Sequence, residues 1–147
     1  MPEDLRDRTK QYALRIIKLF GALPKSVEGQ VIGKQLLRSG TAVGANYREA
    51  YRARSDAEFI AKLGICVQEL EETMYWLELL SEADIFTKKR LADLTDETNQ
   101  LIAILTTISK NKKKGMSKKL IHLTPQTISF PTNRPPLLPS SLIIHNS

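Results

Sequence analysis

Between Ser39 and Asn46 the chain reads Ser-Gly-Thr-Ala-Val-Gly-Ala-Asn, a run with almost no bulky side chain in it. A helix built from such residues lets a neighbour approach closely. A few residues further on, Phe59, Leu63, Cys66, Leu70, Thr73, Leu77 and Leu80 recur at steps of three and four, an apolar stripe of heptad type. Together, Gln35 to Leu80 read as two long helices meeting at a sharp break near Arg54. One helix gives up volume and the other supplies an apolar face. The remaining chain has to complete a bundle around this pair.

Residues 4–22 form the first expected helix. Leu5, Thr9, Tyr12, Ile16, Leu19, Phe20 and Leu23 share one face, acids stand in the first turn, and Gly21 with Pro24 ends it. The second helix starts near Ser26, a good N-cap, with Val27, Ile32, Leu36, Val43 and Tyr47 as inward positions. Gly29, Gly33, Gly40 and Gly44 each cost about 1 kcal/mol relative to Ala in a helix interior. They imply either close packing or a break near Gly40. The continuous helix is the stronger reading, because Arg48 to Arg54 resumes helical composition. Ser55-Asp56-Ala57-Glu58 is a capping box and starts the third helix, which runs to about Ala83. Trp76, toward its end, reads as a core or interface anchor. Thr87 caps a fourth helix carrying Leu91, Leu94, Thr98, Leu101, Leu105 and Ile108, and the run Lys110, Lys112, Lys113, Lys114 followed by Gly115 reads as its stop. Short connections make neighbours antiparallel, so the expected fold is an all-α, up-down-up-down four-helix bundle over residues 1–114. Residues 115–147, rich in Pro, Ser and Thr, are expected to be a disordered tail.

Residues 1–54 hold 11 Lys and Arg against 5 Asp and Glu, residues 55–110 hold the reverse, and residues 111–147 hold 6 basic residues and no acids. The bundle therefore has a basic first half and an acidic second half. Either the halves pair within or between subunits, or the basic half presents a face to nucleic acid. The candidate phosphate-binding residues are Lys10, Arg15 and Lys18 on the first helix with Lys34, Arg48, Arg52 and Arg54 on the second. A fold-back at Arg54 also sets Arg38, Asn46 and Glu49 against Glu69 and Glu72, a polar seam read here as structural.

Several classes lose support. Cys66 is the single cysteine and sits on the apolar stripe, so it reads as a buried small hydrophobe in a reducing compartment. The histidines, His122 and His145, lie outside the expected bundle, so the Glu-x-x-His pairs of a bundle metal site are missing and no metal or other cofactor is expected. No serine has a histidine partner in the body, no phosphate-cradling loop follows a strand, and no small-molecule substrate suggests itself. No apolar run reaches the roughly 20 residues of a membrane span, and the charged N-terminus is unlike a signal peptide. A cytoplasmic, non-enzymatic protein is the expectation.

Gln35-Leu-Leu-Arg-Ser-Gly-Thr-Ala-Val-Gly-Ala-Asn46, then Glu49-Ala50, Ser55, Glu58-Phe59, Lys62-Leu63, Glu69, Glu72-Thr73 and Trp76-Leu77 closely resembles a bacterial family of four-helix-bundle proteins. That family was first met as the products of intervening sequences in large-subunit ribosomal RNA genes. The resemblance spans about residues 7–112. It implies a left-handed four-helix bundle assembling into a ring-like homopentamer, with a biochemical role mostly unassigned. A relative that accompanies retroelement reverse transcriptases is a basic pentameric barrel that binds nucleic acid and the enzyme. The chain departs from the family at Tyr47-Arg48, where an apolar-small pair is usual, and in the length of its tail. Two functional expectations follow: an oligomeric scaffold binding RNA or DNA through its basic face, or a protein-interaction scaffold without nucleic acid. An enzyme with a site at a subunit interface is the weaker third.

Overall fold

A computed structural model describes residues 4–122, which form four helices: α1 (Leu5–Ala22), α2 (Val27–Tyr51), α3 (Asp56–Glu82) and α4 (Lys88–His122). No strand occurs among the described residues. Three helix starts carry side-chain caps, two of them, Ser26 and Ser55, where the sequence suggests. Asp4 accepts from the Arg6 N–H, Ser26 from Gly29, and Ser55 from Glu58. The Glu58 carboxylate closes the capping box by accepting from the Arg54 N–H at 3.1 Å, one residue earlier than the usual partner. At the end of α3, Asp84 adopts a left-handed φ of 56°, and the Ile85 and Phe86 N–H groups both donate to the Leu80 carbonyl.

α2 runs unbroken through its glycines because they face α1. A Cβ on Gly40 would lie 2.7 Å from Cγ1 of Ile16, and one on Gly33 would lie 2.7 Å from Cδ1 of Leu23. At Gly44 the nearest backbone atom is the Thr9 carbonyl oxygen, 3.4 Å from such a Cβ. The pairs Gly33–Leu23, Gly40–Ile16 and Gly44–Thr9 show the two helices running antiparallel. α2 meets α3 through Arg38–Glu69 and Glu49–Lys62, α3 meets α4 through Asp56–Lys112, and α4 closes back on α1 through Glu97–Arg8. The bundle is thus up-down-up-down, as expected.

The core is aliphatic: Ile16, Leu36, Val43, Leu63, Leu70, Leu77, Leu80, Leu101 and Leu105 are fully or almost fully buried, with Cys66 among them. The Cys66 thiol contacts the Val43 carbonyl at 3.5 Å, and burial pushes its pKa up to about 12. Trp76 packs half-buried against this core, its ring stacked on Tyr75. A thread of hydroxyls crosses the middle. Thr73 donates to the Glu69 carbonyl and lies 2.8 Å from Ser39; Thr98 donates to the Leu94 carbonyl and lies 2.7 Å from the Tyr12 hydroxyl. Since both threonine protons are already given, Ser39 and Tyr12 must donate. Every buried side-chain polar atom among the described residues has a partner.

Two sequence expectations are corrected. Val27 does not point inward but is 76% exposed, because the inward row of α2 begins at Gly29 and continues through Gly33 and Leu36. Nor does Gly115 stop α4, which continues to His122. Gly115 keeps a negative φ and so cannot make the left-handed turn of a glycine stop. Lysines on both sides of it, Lys112 and Lys119, pair with Asp56 at the start of α3 and hold the helix along the bundle. The expected boundary at residue 114 therefore falls inside a helix, and the rest of the expected tail, including His145, lies outside the described residues.

Candidate nucleic-acid interface

The first turns of α1 and α3 and the last turns of α2 and α4 gather at one end of the bundle. Between α1 and α2 this end carries a groove of about 470 Å³, lined by Arg6, Lys10, Arg48, Tyr51 and Arg52 with Asp4, Asp7 and Glu49. Helical spacing explains the grouping. Arg6 and Lys10 are one turn apart on α1, as are Arg48, Tyr51 and Arg52 on α2, and antiparallel packing brings the two sets together. Asp4 grips the Arg6 guanidinium through Nε and Nη2, both at 3.2 Å, and this contact holds the Asp4 carboxyl below its ordinary range. The same guanidinium lies 4.2 Å from the Tyr51 ring centroid. Glu49 is engaged by Lys62 at 2.7 Å. Lys10, Arg48 and Arg52 enter no ion pair within the described residues and are exposed.

Beside this groove, a smaller hollow of about 200 Å³ is lined by Arg54, Ser55, Asp56, Phe59 and Lys112 among others. The Lys112 ammonium is 3.1 Å from Asp56 and 5.7 Å from the Phe59 ring centroid. α4 then carries Lys113, Lys114, Lys118 and Lys119 onward at the same end. Of these, Lys119 reaches back to Asp56 at 3.8 Å.

Of the seven candidate residues, the structure unites Lys10, Arg48 and Arg52 in one groove and sets Arg54 next to it. Arg15 and Lys18 lie elsewhere, in a groove of about 330 Å³ between α1 and α4 shared with Arg90 and Asp93. Lys34 stands exposed on α2 and lines none of these grooves. Sequence reasoning missed Arg6, Tyr51 and the helical lysines 118 and 119. The one-turn spacing of Arg6 to Lys10 was a usable signal; the course of α4 past Gly115 was not.

The polar seam divides. Arg38 pairs with Glu69 at 3.3 Å and with Glu72, which also accepts from the Trp76 indole N–H; Arg38 holds the Glu72 carboxyl below its ordinary range. Asn46 takes no part in it and donates to the Ala42 carbonyl of its own helix at 2.9 Å. Glu49 joins Lys62 instead. A deeper pair, Arg8 with Glu97, was not foreseen: two parallel hydrogen bonds at 3.1 and 2.5 Å tie α1 to α4. No cluster of His, Cys, Asp and Glu among the described residues has the arrangement of a metal site. No helix among them is long and apolar enough to cross a membrane.

These features define an all-α, antiparallel four-helix bundle with cations concentrated at one end. The chain belongs to the 23S rRNA-intervening sequence protein family, whose model matches residues 4–107. The lysine-rich end of α4 lies beyond that match. Among solved structures, the chain is similar to a protein of unknown function from the S23 ribosomal protein family of Bacteroides thetaiotaomicron, with 39% identity and a TM-score of 0.68, covering 71% of this chain and 97% of that one. Comparison with curated proteins yields no match.

Proposed function

We propose that this protein is a non-enzymatic, oligomeric bundle that works in the cytoplasm and binds nucleic acid, RNA foremost, through the basic end of each subunit. The observation that carries this reading is the meeting of Lys10, Arg48 and Arg52 from two helices in one exposed groove, with Arg54 and the α4 lysines alongside. Clustered cations without internal partners are what a phosphate backbone requires, and assembly would repeat the patch and raise avidity. The ring-like pentamer implied by the resemblance is one such assembly. Reducing surroundings suit the buried thiol of Cys66.

Fluorescence anisotropy of the full chain with a labelled structured RNA and a duplex DNA, across a salt series, tests the reading. Affinity is expected to fall steeply with salt, and Arg48→Ala/Arg52→Ala/Arg54→Ala is expected to weaken binding while leaving thermal unfolding in place. Equal binding by the triple variant removes this end from consideration.

A second reading, a protein-interaction scaffold without nucleic acid, draws on other surfaces. Leu14 and Ile17 stand half-exposed on α1, and the α3–α4 groove is lined by Glu78, Glu82 and Asp96. Absence of binding to either nucleic acid at low salt favours it.

A further inference from the structure

The basic groove contains an aromatic ring as well as cations. Tyr51, the last residue of α2, is 58% exposed and its side chain lines the groove. The Arg6 guanidinium sits 4.2 Å from its centroid, while Asp4 fixes that guanidinium by two hydrogen bonds. Ring and guanidinium are therefore held together in advance of any ligand. Lys10, Arg48 and Arg52 surround them in the same groove of about 470 Å³, within the range that encloses small ligands.

We infer that the Tyr51–Arg6 pair is a stacking platform for an unpaired base, and that the groove therefore takes single-stranded nucleic acid in preference to duplex. An aromatic face beside cations is the arrangement by which single strands are bound without regard to sequence: a base stacks, and its flanking phosphates meet Lys and Arg. A base in a duplex is already stacked on its neighbours and cannot reach the ring. Lys10, Arg48 and Arg52 supply the cations, since Arg6 is already engaged by Asp4. Of the three acids on the rim, Asp4 is tied to Arg6 and Glu49 to Lys62. The third, Asp7, is exposed on α1 and enters no ion pair among the described residues.

This inference rests on the proposed nucleic-acid binding, and the experiment separates the two. The full chain and its Tyr51→Ala and Tyr51→Phe variants are titrated with labelled single-stranded RNA and DNA of about 12 nucleotides, and with a duplex of the same length. Tyr51→Ala is expected to weaken single-strand binding by about ten-fold, with Tyr51→Phe close to the parent protein and duplex binding unchanged. Circular dichroism on Tyr51→Ala confirms that this exposed substitution leaves the helices formed. Unchanged single-strand affinity in Tyr51→Ala overturns the platform while leaving phosphate binding intact. Equal loss for single strand and duplex also overturns it, because Tyr51 then acts only by holding Arg6. Failure of every probe to bind removes both readings.

Discussion

Helix α2 meets its two neighbours by opposite means. Toward α1 it removes side chains: Gly29, Gly33, Gly40 and Gly44 leave room that Pro24, Leu23 with Phe20, Ile16 and Thr9 fill in turn. Toward α3 it matches polar groups: Ser39 with Thr73, Arg38 with Glu69 and Glu72, Glu49 with Lys62. The first seam is specified by shape and is tightest at Gly33 and Gly40, where an added Cβ would lie 2.7 Å from a neighbouring side chain. The second is specified by hydrogen bonds, and its surface members are screened by water. Close approach gains dispersion contacts along the whole seam, whereas polar matching fixes which residue stands opposite which. A bundle with both devices on one helix has its spacing set on one side and its register on the other.

The difference makes ordered predictions. The largest effect is expected from Gly40→Ala. The new Cβ would meet Cγ1 and Cγ2 of Ile16 at 2.7 and 2.9 Å, atoms of a branched side chain that cannot swing aside. A loss of about 1–3 kcal/mol in urea unfolding is expected, as for other overpacked cores. Gly64→Ala is the control: nothing lies within 4 Å of its Cβ, so the helix propensity of Ala raises stability by up to about 1 kcal/mol. If both substitutions behave alike, shape does not govern the α1–α2 seam.

On the other side of α2, Thr73→Val leaves the buried Ser39 hydroxyl nearly stranded, with only its long 3.4 Å contact to the Leu36 carbonyl, and is expected to cost about 1–2 kcal/mol. Adding Ser39→Ala removes the stranded group and recovers part of that loss, so the two changes are non-additive in a double-mutant cycle. Strict additivity would show that the hydroxyl pair does not set register.

The smallest effect belongs to Arg38→Ala. Arg38 is half exposed, so its pairs with Glu69 and Glu72 are worth no more than about 1 kcal/mol. Its signature lies in pH. Because Arg38 holds the Glu72 carboxyl below its ordinary value of 4.5, the pair's contribution is present above that value and is lost as pH falls through the lowered one. Arg38→Ala is expected to lower stability by at most about 1 kcal/mol at neutral pH and to leave it unchanged in acid, which flattens the acid side of the stability profile. A large neutral-pH loss would mean that the exposed seam matters as much as the buried one.

Much of the fold was legible because its signals are local. The stripe from Phe59 to Leu80 and the row from Leu91 to Ile108 describe faces that the structure buries, and Ser26 and Ser55 cap where their spacing indicates. The fold-back at Arg54 was enough to bring Arg38 to Glu69 and Glu72. The misreadings have tertiary causes. Val27 is apolar yet stands outside, because the glycine row turns the inward face of α2 away from it. Asn46 shares a side with Glu49 but bonds within its own helix. The basic candidates were read as one group by composition; in space, Arg15 and Lys18 belong to the α1–α4 groove, Lys34 to neither, and Arg6 and Tyr51 to the main one.

By itself, the amino-acid sequence determined four amphipathic helices, their order and two of their caps, because periodicity and capping act over a few residues of contiguous chain. Only the tertiary structure decided which cations share a groove, that the hydroxyls of Ser39 and Thr73 meet, and that α4 runs past Gly115 along Asp56. Those outcomes depend on the rotation of each helix about its axis and on partners far away in the chain, and packing sets both at once.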